Sequence, residues 1–344
     1  MVPAKKKWAL CLLPLVVSAL FCGCSPVVKE NGPVPGESGS YEAVHYPVDI
    51  TNINSKGEEE VQTFKEPPKR VVAVWQNSIE TLLALGVGDR IVAGMGIPSE
   101  KYILPEYRAD YEKIPYTSLE NLDMETIMMM KPDFIVGWYS TFQAKVLRST
   151  GFWHERGVHT YIAPASSSAV REKSLEQEYE DILNMGKIFD RQEKAEEIVG
   201  RMKGEIDRVT GKAAAMGLHR KGLIVELNGR NLMVYGEKTL AGHILKAVNG
   251  ELLAADLHNI SKEQLIEMNP DAIFVVVIES NYDRADDILN ILYNDKGLQS
   301  LSSVQNRRIY SLPLYSVYSS GIRTYDGIRS IAKGLYPELY EEEK

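Results

Sequence analysis

Two stretches of this chain, 138 residues apart, carry the same pattern. Residues 122–135 place Glu125, Ile127, Met130, Pro132, Asp133 and Ile135 at the offsets that residues 260–273 give to Glu263, Leu265, Met268, Pro270, Asp271 and Ile273. Each stretch reads as a short helix stopped by a proline, which cannot continue a helix, followed by an aspartate and an apolar strand. Part of the match is what any helix–proline–strand junction gives. Agreement at six positions exceeds that and points to two similar α/β units.

The rest of the chain fits the division. After a small hairpin at 46–64, short apolar strands at 70–75, 91–93, 134–137 and 158–162 alternate with helices at 78–85 and 122–130. Apolar runs alternating with helices imply a parallel sheet covered on both faces. From 174 to 212 the pattern turns helical, with apolar Ile182, Met185, Ile188, Ile198, Met202, Ile206 and Val209, and Asp190 reads as the cap of a second segment of one long or slightly broken helix. Alternation then resumes, with strands at 222–227, 272–278 and 309–312 and helices between and after them. The expected fold is α/β, two Rossmann-like lobes with parallel sheets joined by a single long α-helix. The domains read as 46–170, a connecting helix at 171–215, and 216–344.

Composition narrows the function. A formal charge of −8, from 39 basic and 47 acidic side chains, argues against nucleic acid as a partner. Cys11, Cys22 and Cys24 are the only cysteines, so the rest of the chain has no thiol for a disulfide, a zinc site or catalysis. Lys5, Lys6 and Lys7 precede a 14-residue apolar run, then Gly23-Cys24. This resembles a bacterial lipoprotein signal over 1–23, with Cys24 as the lipidated residue, although Phe21 stands where leucine is usual. An ordinary cleaved signal or a single N-terminal anchor is the alternative. Cleavage removes the three lysines and takes the charge from −8 to −11. Residues 24–45, rich in Pro, Gly, Ser and Glu, read as a flexible tether spanning roughly 25 Å.

Pro67-Pro68-Lys69-Arg70-Val71-Val72-Ala73-Val74, the run from Glu80 to Gly86, Lys131-Pro132-Asp133 and Asn269-Pro270-Asp271 together resemble a periplasmic-type substrate-binding protein of the iron-complex/cobalamin ABC-importer class. Leu298-Gln299-Ser300-Leu301 and Arg307-Arg308-Ile309-Tyr310 extend the likeness through the second half. The resemblance implies two lobes on a long helix, a ligand cleft between them, and no enzymatic activity. It also implies an extracytoplasmic, membrane-anchored location and a permease dimer with ATPase subunits as partner. In such proteins one glutamate per lobe docks on the permease, and Glu125 and Glu263 stand at the matching places. The plainer reading of each is a carboxylate favoured at a helix N-terminus.

Ligands of open α/β sheets bind beyond the carboxyl ends of the strands. Those ends carry Trp75, Gln76, Met95, Tyr102, Trp138 and Tyr139 in the first lobe, and Arg230, Tyr235, Tyr282, Tyr315, Tyr318 and Arg323 in the second. Aromatics there would stack on a chelate and the arginines would pair with its anionic groups, or the aromatics would simply cover lobe edges. The histidines are scattered, so no metal cofactor or bare-metal site is expected; His243, near a helix start facing the second lobe, is the one worth testing, and a surface or capping role is its plainer reading. The expected ligand is an iron chelate, above all a ferric siderophore, with cobalamin and haem as alternatives. No Gly-x-Ser-x-Gly, phosphate loop or His-Glu-x-x-His supports an enzyme. An extracellular sensor module of this fold stays open.

Overall fold

The structure, a computed structural model, describes residues 46–120, 123–229 and 231–343. The signal at 1–23, Cys24, the tether, Leu122 and Arg230 lie outside the described residues.

Val71-Val72-Ala73-Val74 is apolar at every position and buried at every position, as a strand covered on both faces must be. It forms β3, with β1 (Val48–Ile53) and β2 (Glu59–Phe64) the preceding antiparallel hairpin. β4 (Ile91–Met95), β5 (Thr117–Ser118), β6 (Phe134–Gly137) and β7 (His159–Ile162) complete a fully parallel sheet in the order β5-β4-β3-β6-β7. The hairpin closes the β7 edge through side chains. Gln62 exchanges hydrogen bonds with the Thr160 backbone at 2.7 and 3.0 Å, and Asn52 with that of Ile162 at 2.9 and 2.8 Å. An edge strand is thereby satisfied without another strand.

The second lobe holds β8 (Lys221–Asn228), β9 (Asn231–Val234), β10 (Glu251–Leu252), β11 (Asn259–Ile260), β12 (Ala272–Val277) and β13 (Ile309–Pro313). Their order is β11-β9-β8-β12-β13, with β10 beside the start of β8. The sheet is mixed. β8, β10, β12 and β13 are parallel, but β9 runs antiparallel to β8 and β11. The reason is local: Asn228 pairs with Asn231 across a two-residue turn, and so short a link reverses direction where a parallel return needs a crossover.

The repeat is built the same way twice. Asp123 caps Met124–Met130 by accepting the Thr126 N–H, and Ser261 caps Lys262–Met268 by accepting that of Gln264. Ile127 and Leu265 are the buried anchors of the two helices. Lys131 and Asn269, at φ 49° and 42°, end them in the left-handed conformation. Asp133 then accepts the N–H groups of Lys69 and Arg70 at 2.8 Å, and Asp271 accepts that of Lys221 at 2.8 Å. Each carboxylate thus ties the start of one strand to the start of its neighbour.

Between the lobes, the helical stretch is two segments, Leu175–Phe189 and Gln192–Ala215. Asp190, at φ 57°, does not cap the second segment; it ends the first, and the chain folds back. The close approach of Gly186 to Ala195, where an added Cβ would lie 2.5 Å away, and Lys203 Nζ at 5.1 Å from the Tyr179 ring show the antiparallel pairing. Both segments reach both lobes. The Leu175 N–H is donated to His243 Nδ1 of the second lobe, which gives that histidine a helix-capping role, while Phe189 packs on Phe134 of the first. The longer segment returns, with Thr210 donating to the Ala247 carbonyl. One hydrophobic core therefore runs from β3 and β6 through this pair to β12 and the helix Thr324–Leu335. Each large apolar side chain buried there contributes roughly 1.5–3 kcal/mol, so the connection is stiff.

Candidate ligand cleft

Trp75 ends β3 with φ 74° and ψ 154°, a conformation that residues other than glycine rarely adopt. Its N–H is held by the Met95 carbonyl at 2.7 Å. Gly96, at φ 90°, lies under the indole, where a Cβ would come within 2.8 Å of Cε3. The strain thus serves to aim one indole past the end of the sheet. There it stacks on Trp138, at the end of β6, with centroids 4.7 Å apart and planes 20° apart. Trp138 in turn meets Tyr318 of the second lobe edge-on at 5.3 Å. A second aromatic line crosses between the lobes from Tyr102 to Tyr282 (5.0 Å) and on to Tyr315 (5.2 Å).

Polar bonds reinforce this crossing. Lys101 pairs with Asp283 at 2.6 Å, and the Tyr102 hydroxyl donates to the same carboxylate at 2.7 Å. Deeper, the Arg323 guanidinium lies 3.0 Å from Glu80, 2.5 Å from Asp326, and 4.4 Å from the centre of the Tyr315 ring. It also donates to the Tyr102 carbonyl at 3.0 Å. Glu80 is 0 % exposed and additionally accepts the Leu104 N–H and the Gln76 amide. Burial pushes its carboxyl from 4.5 up to about 7, against the pull of Arg323 and the two hydrogen bonds. Arg323 was expected to meet anionic groups of a ligand; in the structure it is paired with two carboxylates of the protein, Glu80 and Asp326.

A second buried carboxylate holds the segment that delivers these groups. Glu178 accepts the N–H of Ser320 (2.9 Å) and Gly321 (2.8 Å) and the Thr324 hydroxyl (3.2 Å), all through one oxygen. Burial raises it from 4.5 to about 7. Gly321, at φ 54°, leaves no room for a Cβ, which would lie 2.4 Å from Thr81 Oγ1. Residues 318–324 are thus wedged between the first-lobe helix Gln76–Ala84 and the interlobe helices.

Trp75, Gln76, Asn77, Gly96, Trp138, Tyr315 and Ser319 enclose a cavity of about 10 Å³, near the smallest that holds one water. The indole N–H groups of Trp75 and Trp138, Asn77 Oδ1 and Ser319 Oγ are buried without a hydrogen-bond partner. Buried donors and acceptors left unpaired are costly, so these four atoms are fit to bind polar atoms of a ligand.

Of the residues expected at the cleft, Trp75, Gln76, Tyr102, Trp138, Tyr282, Tyr315, Tyr318 and Arg323 are brought together. Three stand apart. Met95 is buried in the first-lobe core, since it alternates inward on β4. The Tyr139 hydroxyl donates to the Ser55 carbonyl on the hairpin, and that of Tyr235 donates to Glu226 on β8. Gly96, Glu80, Lys101 and Asp283 were missed. A lone glutamate inside the apolar helix 78–85 was the available signal for Glu80. Glu125 and Glu263 are exposed at equivalent places on the two lobes. Among the described residues, no cluster of three or more His, Cys, Asp or Glu is placed to hold a metal.

A family model described as periplasmic binding protein matches residues 71–315. A periplasmic binding protein from Veillonella parvula shares 42% identity and a TM-score of 0.83, covering 87% of this chain and 95% of that one. An uncharacterized ABC transporter substrate-binding lipoprotein of Bacillus subtilis, YvrC, is 22% identical over 97% of this chain and 98% of its own length. A vitamin B12-binding protein of Vibrio parahaemolyticus is 21% identical over 72% of this chain and 82% of its own.

Proposed function

This chain belongs to the periplasmic binding protein family, and from that premise we propose that it is the extracytoplasmic receptor of an ABC importer for a metal chelate of little net charge. The observation that carries the ligand class is the pairing of aromatic walls with an arginine already paired with Glu80 and Asp326. Lys101, at the rim, is likewise paired with Asp283. A tris-catecholate ferric siderophore carries three negative charges and haem carries two propionates; both need cations that these pairings withhold. A ferric tris-hydroxamate is neutral, because three monoanions balance Fe³⁺, and it brings its own complete set of metal ligands. A corrinoid meets the same two conditions, and the name of the vitamin B12-binding relative supports it as the second reading.

Indoles at Trp75 and Trp138 and the ring of Tyr318 would cover the apolar face of such a chelate, and the unpartnered indole N–H groups would bond its carbonyl or amide oxygens. Admission requires the Trp138–Tyr318 and Tyr102–Tyr282 contacts to part. The stiff helix pair favours a small rotation of the second lobe over a wide hinge. Residues 1–23 act as a lipoprotein signal and Cys24 as the anchor. Among the described residues no helix is long and apolar enough to cross a membrane, and the name of the Bacillus relative supports lipidation. Glu125 and Glu263 are the permease-docking carboxylates of the two lobes.

The test is uptake. Deletion of the gene should abolish import of iron-55 ferric tris-hydroxamate or of cobalt-57 cobalamin, and the wild-type gene should restore it. Unchanged import of both would refute the proposal.

A further inference from the structure

A cavity of about 210 Å³ lies in the first lobe, where the hairpin β1–β2 and the end of β7 meet the helix Leu175–Phe189. Among the described residues it shares no lining residue with the ligand cleft. Its volume is several times the share of one water, enough for a small organic molecule. Three carboxylates line it and, among the described residues, no lysine or arginine does. Glu59 on β2 and Glu180 on the helix are exposed and stand at its mouth. Asp181 lies deeper. Its Oδ1 is buried without a hydrogen-bond partner. The Tyr161 hydroxyl, which accepts from the Asn184 amide at 3.3 Å, is donated to the same carboxylate. Burial first, then the charge of Glu178 and, more weakly, that of Glu180 push the Asp181 carboxyl well above the usual carboxylate range. Lys173 turns its ammonium to the Val170 carbonyl at 2.7 Å and stays outside the lining. A buried carboxylate oxygen left unpaired is costly, and a cation that brings its own N–H donors removes that cost. The rest of the wall includes apolar Ile53, Pro164 and Val170.

We propose that this cavity is a second binding site, and that its ligand is a short alkyl diamine in doubly protonated form. One ammonium donates to Asp181 Oδ1, the methylenes lie against Ile53 and Val170, and the other ammonium meets Glu59 and Glu180 at the mouth. Each part of the wall then has its counterpart. A neutral molecule would leave all three carboxylates unmatched, and a monoamine would leave the two at the mouth. A metal ion does not fit, because among the described residues no cluster of three or more His, Cys, Asp or Glu is placed to hold one. The buried Asp181 carries most of the affinity, since Glu59 and Glu180 face solvent and are screened by it. The site stands whatever the ligand cleft accepts.

Calorimetric titration of the purified full-length chain with diaminobutane, aminobutane and butanediol tests this. Expected is saturable binding of diaminobutane, about tenfold or more tighter than that of aminobutane, with none of butanediol. Asp181→Asn keeps the size of the side chain, removes its charge and should weaken diaminobutane about tenfold or more. Glu59→Gln and Glu180→Gln should each weaken it less. Glu176→Gln, an exposed position on the same helix that does not line the cavity, should leave it unchanged. No saturable binding of diaminobutane, or equal affinity in Asp181→Asn and wild type, would overturn the proposal. Aminobutane bound as tightly as diaminobutane would overturn the diamine. If Asp181→Asn gives no cooperative thermal melt, the double variant Glu59→Gln with Glu180→Gln, both changes at the surface, decides the matter: weaker binding supports the site, and unchanged affinity overturns it.

Discussion

Replacing Glu178 by glutamine should stabilise the protein at pH 8 and change little at pH 5. Glu178 is buried, faces no cation, and titrates at about 7 where a free glutamate titrates at 4.5. Below pH 4.5 the group is protonated in both the folded and unfolded chain and costs nothing. Between 4.5 and 7 the unfolded chain releases the proton while the folded chain retains it, so stability falls as pH rises. Above 7 the deficit is constant. At about 1.4 kcal/mol per pH unit, the full deficit is on the order of 3 kcal/mol. Glutamine keeps one carbonyl oxygen to accept from Ser320, Gly321 and Thr324, all of which bond a single oxygen of Glu178. Its amide can face Asp181, whose carboxyl is pushed up by burial and by the charge of Glu178. Urea unfolding followed by circular dichroism at pH 5, 6, 7 and 8 measures this directly. The wild type should lose stability across that range. The variant should lose the part of that slope that Glu178 contributes. Equal slopes in both proteins, or a variant less stable than wild type at pH 8, would refute the reasoning.

Other outcomes follow from the same contacts. Arg323→Met leaves Glu80 buried without its cation and should cost about 3–5 kcal/mol at pH 8; adding Glu80→Gln should recover most of that, and a strictly additive double mutant would argue against the pairing. Gly321→Ala forces a Cβ toward Thr81 at a positive φ and should lower stability by about 1–3 kcal/mol in a thermal melt. Asp133→Ala removes the acceptor of two exposed backbone N–H groups and Asp271→Ala of one, so the first should be the more destabilising in urea, by about 0.5–1.5 kcal/mol per lost hydrogen bond. Trp75→Ala should lower chelate affinity at least tenfold in calorimetry, and because the indole packs on Trp138 it should also lower the melting temperature.

Much of this was legible because the signals are local. Val71–Val74 and Ala272–Val277 are apolar at nearly every position, and such runs admit few other readings. The repeat at 122–135 and 260–273 announced two lobes, and strand ends marked Trp75, Trp138 and Tyr318. What stayed hidden is long-range or conformational. The 3.6-residue period is the same on both sides of Asp190, so periodicity does not tell a continuous helix from one folded back; the turn depends on a left-handed residue and on Gly186 meeting Ala195. The antiparallel β9 follows from a two-residue turn that reads equally well as a loop. Arg323 looked free at a strand end because its partner, Glu80, comes from the other lobe. The mixed character of the second sheet thus turns on a local reversal, whereas the pairing of Arg323 with Glu80 is a contact between residues 243 positions apart in the chain.

The central claim is that Trp75, Trp138 and Tyr318 enclose a metal chelate of little net charge. Two of the three tryptophans after residue 24 line that cleft, so tryptophan fluorescence reports on it directly. Titration of the purified chain with a ferric tris-hydroxamate, a ferric tris-catecholate, cobalamin and haem should show saturable quenching at micromolar concentration or below by a hydroxamate complex or by cobalamin. Trp138→Phe should reduce that signal and leave the part reported by Trp75, and the catecholate complex and haem should give none. Saturable quenching by the tris-catecholate in preference to both, or by none of the four, would contradict it.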